Sequence, residues 1–586
     1  MQRPSRRQFI RNVTLGAAAA TGALALSSFQ SLANPGSTDA STGGAASPFR
    51  HGVASGDPLS NRVILWTRIT PETAGTQTGM WEIAADAGFR RILHAGPFTT
   101  GPERDFTVKV DAAGLAPDTV YFYRFHIGTR ISPVGRTRTL PVGRPTQVKL
   151  VVFSCSNYPA GYFHAYREAA RLDGVHAAVH LGDYLYEYQR NGYASEDAEA
   201  LGREVDPPHE SLSLDDYRRR HAQYRSDPNL QAVHAALPFI CVWDDHEVAN
   251  DAWREGADNH DPDTEGDYFA RRAAAVQAYH EWIPIRTPDP ADPLKISRSF
   301  DFGDLLSLHM LDTRQIARDK QLNYGDYLSE GKLDTARFSR DLNDPARQLI
   351  GEAQTAWLKD ALVRSDARWQ VLGQQVLMAR MDVPAPVALD QLGISEYLAL
   401  HDKANLMPTA LSADEQAHIA GPVLPNNLDA WDGYPSARET VLGLARDLDK
   451  NLVVLAGDTH NAWASNLADA AGTAVGVEFA TASVSSPGLE TYRTSEHPDA
   501  LAAGLVRLID TLKFTDTSHR GFMVVTATPD QCEAEWHFLT TVKQPDYRRF
   551  VGTRLRVLPG AGNRALRPVE SALATLAPNT DGIAVL

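Results

Sequence analysis

The sequence predicts a small all-β sandwich domain followed by a larger α/β domain of layered β-sheets flanked by helices. Three observations carry that expectation. Residues 49–139 read as short strand-like runs punctuated by Gly and Pro. Beyond residue 146, apolar runs alternate with helical stretches, the pattern of sheets covered by helices. Four of those apolar runs break off abruptly at Asp, His, Cys or Tyr. At 586 residues the chain is too long for one core, and 43% hydrophobic with 22% charged residues is the composition of an ordinary globular protein.

The N-terminus has the layout of an export signal over residues 1–33. Arg6-Arg7 and Phe9 precede an apolar, Ala-rich run at 13–26, and Ser31-Leu32-Ala33 supplies small-residue cleavage positions. The paired arginines resemble a twin-arginine signal, which implies a periplasmic or secreted protein handled by the twin-arginine translocation machinery. That route exports folded proteins, many already loaded with metal, so it favours a metal cofactor. No other stretch approaches ~18 uninterrupted apolar residues, so no permanent membrane anchor is expected. Residues 34–47 have the composition of a flexible linker.

The sandwich is assigned to residues 48–142, with strands at 63–67, 81–84, 106–110 and 121–127. Residues 115–121, LAPDTVY, resemble the tyrosine corner of fibronectin-like sandwiches. No titratable cluster stands out here, so the expected role is structural support. Residues 140–145 read as a hinge.

The α/β domain is assigned to residues 146–540, with helices at 165–172, 268–282 and 353–362. The run at 148–153 ends at Ser154-Cys155. The run at 175–181 ends at Gly182-Asp183, with Tyr186 a short turn later. Residues 239–243 run into Asp244-Asp245-His246-Glu247, and 452–456 into Gly457-Asp458-Thr459-His460. Two further strands, 305–311 and 369–374, end at Asp312-Thr313-Arg314 and Gln374-Gln375. Buried strands that deliver functional side chains at their C-terminal tips build sites in open α/β sheets.

The donor types sort by chemistry. Asp183 is a carboxylate able to bridge two cations. Cys155 and Tyr186 suit a trivalent or transition ion, whereas Asp245 and Asp458 are hard donors suited to calcium or magnesium. His460 adds an imidazole two residues after Asp458, on the same side of an extended segment. A two-metal centre straddling Asp183 is the economical reading. The formal charge of −15 argues against nucleic acid or an anionic membrane as the main partner but not against a small phosphate-bearing substrate. Three cysteines without a CxxC pair make no disulfide framework, and Cys241 and Cys532 read as buried apolar residues.

On these motifs, with His51-Gly52-Val53-Ala54-Ser55-Gly56-Asp57, Leu65-Trp66-Thr67-Arg68 and Leu311-Asp312-Thr313-Arg314-Gln315, the chain resembles the PhoD-type alkaline phosphatases. These lie within the calcineurin-like and purple-acid-phosphatase-like metallophosphoesterases. The resemblance spans residues 49 to about 538. It implies a calcineurin-like metallophosphoesterase domain hydrolysing phosphate mono- and diesters. Ferric iron (Fe3+) would be bound by Cys155, Asp183, Tyr186 and His460. Calcium (Ca2+) would be bound by Asp183, Asp245 and Asp458, where many relatives carry Asn at the position of Asp245. His246 would contact phosphate and protonate the leaving oxygen, and Arg314 would clamp phosphate oxygens. A second calcium is allowed by the family. Asp516 and His519 are its candidates, against a plain solvated loop. Asn250 is either a further metal contact or an ordinary helix residue.

Other features stay open at this level. The acidic loop 258–267 reads as a solvated loop near the mouth of the site, and 479–487 as a strand and turn whose hydroxyls are unassigned. The arginine-rich tail, residues 541–586, is either peripheral or able to fold over the active site. The competing functions are a phospholipase D-like diesterase, a non-catalytic periplasmic phosphate- or metal-binding protein, and an iron oxidase or peroxidase. A binder has no need of His246 and Arg314, and a hard-oxygen second site serves phosphate better than redox chemistry.

Overall fold

The computed structural model describes residues 47–73 and 75–569. The expected export signal and nearly all of the linker lie outside the described residues. Two mixed sheets stack face to face. The larger has ten strands in the order Arg567–Pro568, Arg549–Val557, Cys532–Leu539, Arg520–Ala527, Val148–Phe153, Ala177–His180, Pro238–Cys241, Val53–Gly56, Arg62–Arg68 and Thr107–Ala113. The smaller has seven, in the order Arg298–Phe302, Leu306–Met310, Trp369–Gly373, Leu452–Ala456, Ala474–Ala480, Ala462–Ala468 and Leu512–Asp516. At the middle of each, the neighbours run parallel: 148–153 beside 177–180 beside 238–241, and 306–310 beside 369–373 beside 452–456 beside 474–480.

Strand alternation explains the layering. Val453 and Leu455 join one apolar cluster with Val151, Val179 and Ile240 of the larger sheet. Leu452, Val454 and Ala456, pointing the other way, join a second cluster with Leu358 and Leu362 of helix Gly351–Arg364 and Val441 and Leu442 of helix Pro435–Asp447. Full burial of each such Val or Leu stabilises by roughly 1.5–3 kcal/mol. Helix Tyr268–Trp282 has the bounds read from the sequence, because Asp267 caps it by accepting from Phe269 N and Ala270 N.

The N-terminal segment differs from a free-standing sandwich. Its strands Val53–Gly56, Arg62–Arg68 and Thr107–Ala113 are hydrogen-bonded into the ten-stranded sheet, with Ser55 in register with Pro238. A five-stranded sheet containing Gln77–Ala84, Ile92–Thr100 and Val120–Ile127 packs on them through Val63, Leu65, Ile83, Tyr123 and Phe125. The two layers are there, but one is shared with the α/β part. At the expected tyrosine corner, Ala116 N donates to Tyr121 Oη at 2.8 Å. The expected hinge is tied down, as Gly303 N donates to Pro141 O and Asp304 N to Gly143 O. Arg298 also reaches back to Asp57 at 2.8 Å.

The described part of the C-terminal tail extends the far edge of the larger sheet. Two of its arginines are ion-paired to the body of the protein, Arg564 with Asp449 at 2.5 Å and Arg554 with Glu535. No helix among the described residues is long and apolar enough to cross a membrane.

Candidate metal centre

The acidic tips of both sheets meet. Cys155, Asp183 and Asp245 follow three adjacent parallel strands of the larger sheet, and Asp458 and His460 follow Leu452–Ala456 of the smaller. Close approach needs glycine at two tips. A Cβ on Gly182 would lie 2.4 Å from Asp244 Cβ, and one on Gly457 2.6 Å from Ser154 Cβ. Cys155, Asp183, Asp458 and His460 all adopt left-handed backbone, with φ of 60°, 54°, 63° and 64°. Such conformations cost energy in ordinary residues and cluster where a site is pre-formed.

Potential ligand atoms fall into three overlapping triads, each within 4.8 Å: Cys155 with Asp183 and His460, Asp183 with Asp245 and His246, and Asp244 with Asp245 and Asp458. Tyr186 belongs to the first by contact. Its hydroxyl donates to Asp183 Oδ2 at 3.0 Å and lies 3.1 Å from His460 Nε2. The expected iron ligands therefore converge. The expected calcium ligands meet as two triads sharing Asp245, and Asp183 and Asp458 do not fall in the same triad.

The electrostatics fit cations. Burial, and then repulsion by Asp245, Asp244 and Glu247, holds the Asp183 carboxyl well above its ordinary pKa. Burial likewise raises Asp458, Cys155 and Tyr186. Asp183 Oδ1 and Asp244 Oδ2 are buried without a hydrogen-bond partner. A thiol, a phenol and crowded carboxyls become good anionic donors only when a cation offsets their desolvation and mutual repulsion.

Arg314 is the cation already present. Fully buried, it donates from Nε to Asp244 Oδ1 at 2.5 Å, from Nη1 to Asp429 Oδ1 at 2.9 Å and from Nη2 to Asp458 Oδ1 at 3.2 Å. This placement differs from the expected clamp on phosphate. With every nitrogen taken by carboxylates and no solvent exposure, the guanidinium stands behind the acids as their counter-charge.

His246 is 6% exposed, and its Nδ1 lies 2.8 Å from Glu187 Oε2. Burial alone would lower its pKa, but Asp245, Glu187 and Asp183 outweigh it and hold the imidazole well above its usual value. Glu187 is itself fixed by Asn250 N at 2.8 Å and Asn259 Nδ2 at 3.3 Å. Asn250 thus serves through its backbone, in a turn rather than a helix, and Asn259 carries the acidic loop inward to the site. Glu247 accepts from Asp183 N, Tyr184 N and Asp244 N at 2.6–3.0 Å, stitching two strand tips together.

Asp516 and His519 pair with each other at 2.9 Å and join none of the three triads. In the 479–487 segment, Ser486 Oγ donates to the Tyr186 hydroxyl at 2.7 Å, and Pro487 O lies 2.7 Å from His460 Nδ1. The residues that sequence reasoning did not single out are Asp244, Asp429, Glu187, Glu247 and Ser486. Asp244 and Glu247 lay in the DDHE motif it did read. Asp429 gave no signal.

Carboxylate, thiol, phenol and imidazole donors at strand tips, with a histidine held against a carboxylate, define a hydrolase of phosphoric esters with a metal-type centre. Comparison with known proteins agrees. Residues 150–536 match the model of the PhoD-like phosphatases, and residues 36–141 match that of the PhoD-like phosphatase N-terminal domain. Alkaline phosphatase D of Bacillus subtilis (strain 168) is 35% identical over 541 residues, covering 89% of this chain and 83% of the relative. A solved structure described as that of PhoD superposes with a TM-score of 0.73 at 32% identity, covering 91% of this chain and 94% of that one. The chain belongs to the PhoD-like phosphatase family and is a phosphoric ester hydrolase.

Proposed function

We propose that the protein acts outside the cytoplasm, after twin-arginine export, as an alkaline phosphatase and phosphodiesterase with an iron–calcium centre. The observation that carries this reading is Asp183. It is flanked by thiol, phenol and imidazole donors on one side and by Asp245 on the other. Cys155, Asp183, Tyr186 and His460 would hold ferric iron; Asp183, Asp245 and Asp458 would hold calcium. When bound, such ions polarise phosphoryl oxygens and make coordinated water a nucleophile near neutral pH.

The chain's own groups do the rest. With Nδ1 turned to Glu187, His246 has Nε2 left to hold the proton for the departing alkoxide. Arg314 keeps Asp244 and Asp458 aligned and balances their charge while negative charge develops on phosphorus oxygens. Glu247 and Ser486 fix Asp183 and Tyr186 in place.

The test is elemental analysis and a visible spectrum of protein exported by its own signal, before and after calcium chelation, with hydrolysis of an aryl monoester and a bis-aryl diester followed on the same samples. Iron with calcium, a tyrosinate charge-transfer band and loss of both activities on chelation are expected. Protein without iron, or hydrolysis indifferent to metal removal, would overturn the assignment.

A further inference from the structure

We infer that Tyr188 and Tyr193 form an aromatic wall beside the reacting phosphate and that the enzyme favours esters whose organic group is flat and aromatic. The inference rests on the reading of the site as a phosphate-ester centre and deepens it by naming the substrate class.

Among the candidate ligands only Asp458 and His460 keep partial exposure, so the site opens on their side. The two tyrosine rings lie there, half-buried, in the irregular segment that follows Tyr186. They span the distance between the two site imidazoles. The Tyr188 centroid is 5.3 Å from that of His246 and 5.8 Å from that of Tyr193, and Tyr193 is 6.2 Å from His460. An organic group directed toward His246 would lie beside the Tyr188 ring, 5.3 Å from that imidazole. Rings at such spacing offer faces and edges for offset or edge-on contact with a flat ligand.

The segment that carries the wall is tied down by its own hydrogen bonds. Tyr193 Oη donates to Pro487 O at 3.1 Å and lies 3.2 Å from His460 Nδ1, and its carbonyl accepts from Asn157 Nδ2 at 3.4 Å. The intervening turn is held by Arg190 N to Pro208 O and Arg190 Nε to Val205 O, each at 3.0 Å. A preformed platform spares the ordering cost that weakens contacts made by mobile loops. Tyr188 is the one substituted, because replacing Tyr193 would also disturb His460.

The experiment compares phenylphosphonate with cyclohexylphosphonate as competitive inhibitors of the full-length metal-loaded enzyme, two anions of equal charge differing in flatness. The wild type should bind the phenyl compound about three- to tenfold more tightly, the range of one aromatic contact. Tyr188→Leu should erase the difference, and Tyr188→Phe should keep it. Equal inhibition of the wild type by both compounds, or a preference that survives in Tyr188→Leu, would overturn the wall while leaving the phosphate site standing. Inhibition by neither would instead remove the phosphate-site reading on which the wall rests. The wild-type comparison needs no variant to fold.

Discussion

Glu187 shows how far a site can depend on a residue with no motif of its own. It is fully buried, and both its oxygens are spoken for, one facing His246 Nδ1 and the other receiving Asn250 N. Replacing His246 with Ala should lower kcat by about 10²–10⁴ with metal content unchanged. Glu187→Gln keeps an acceptor but removes the charge, and should cost roughly ten- to hundredfold in kcat with KM little altered. Undiminished turnover in His246→Ala at full metal content would end its role as the acid. His246 was legible because it stands in a charged cluster where an apolar run stops. Glu187 was not, since nothing local distinguishes it from the irregular segment it sits in. Its meaning lies in a contact across 59 positions. Asp429 is the same case, brought to Arg314 from 115 positions away.

At the scale of the element, the strand tips are the working parts, and they were the best-read feature of the sequence. Apolar residues in an unbroken run mark a strand covered on both faces, and the polar break marks where it reaches the surface of the sheet. What the pattern did not contain was pairing. The Val53–Gly56 strand looks like any short strand, and its partner Pro238–Cys241 lies far down the chain, so the first domain read as separate. Gly182 tests the tip geometry. Its φ of 102°, with Asp244 occupying the space of any Cβ, means that Gly182→Ala must displace one strand tip against the other. Overpacking with backbone strain should cost about 2 kcal/mol or more. The expected outcome is a lower denaturation midpoint together with weaker metal retention, read by unfolding curves and elemental analysis. A variant with wild-type stability and metal content would show the two tips to be independent.

The whole molecule is less divisible than its two family matches suggest. The ten-stranded sheet runs without a break across residues 140–145, and Arg298 and Arg286 both anchor on Asp57. Calorimetry of the intact protein should therefore show the N-terminal and α/β parts melting in one transition. A chain beginning at residue 146, with the Pro238–Cys241 edge uncovered, should be recovered as aggregate. Two well-separated transitions, or a soluble and active truncated chain, would show that the shared sheet is incidental. The continuity of that sheet also has a consequence in time. It is collated from residues 53–113, 148–241 and 520–568, so the strand at Val148–Phe153 waits for its neighbour Arg520–Ala527 until synthesis of the chain is nearly over. No nascent fragment holds a finished sheet. The tips that gather around Asp183 reach their final places only as a late, collective event, and a metal ion arriving earlier meets donors that have not yet been brought together.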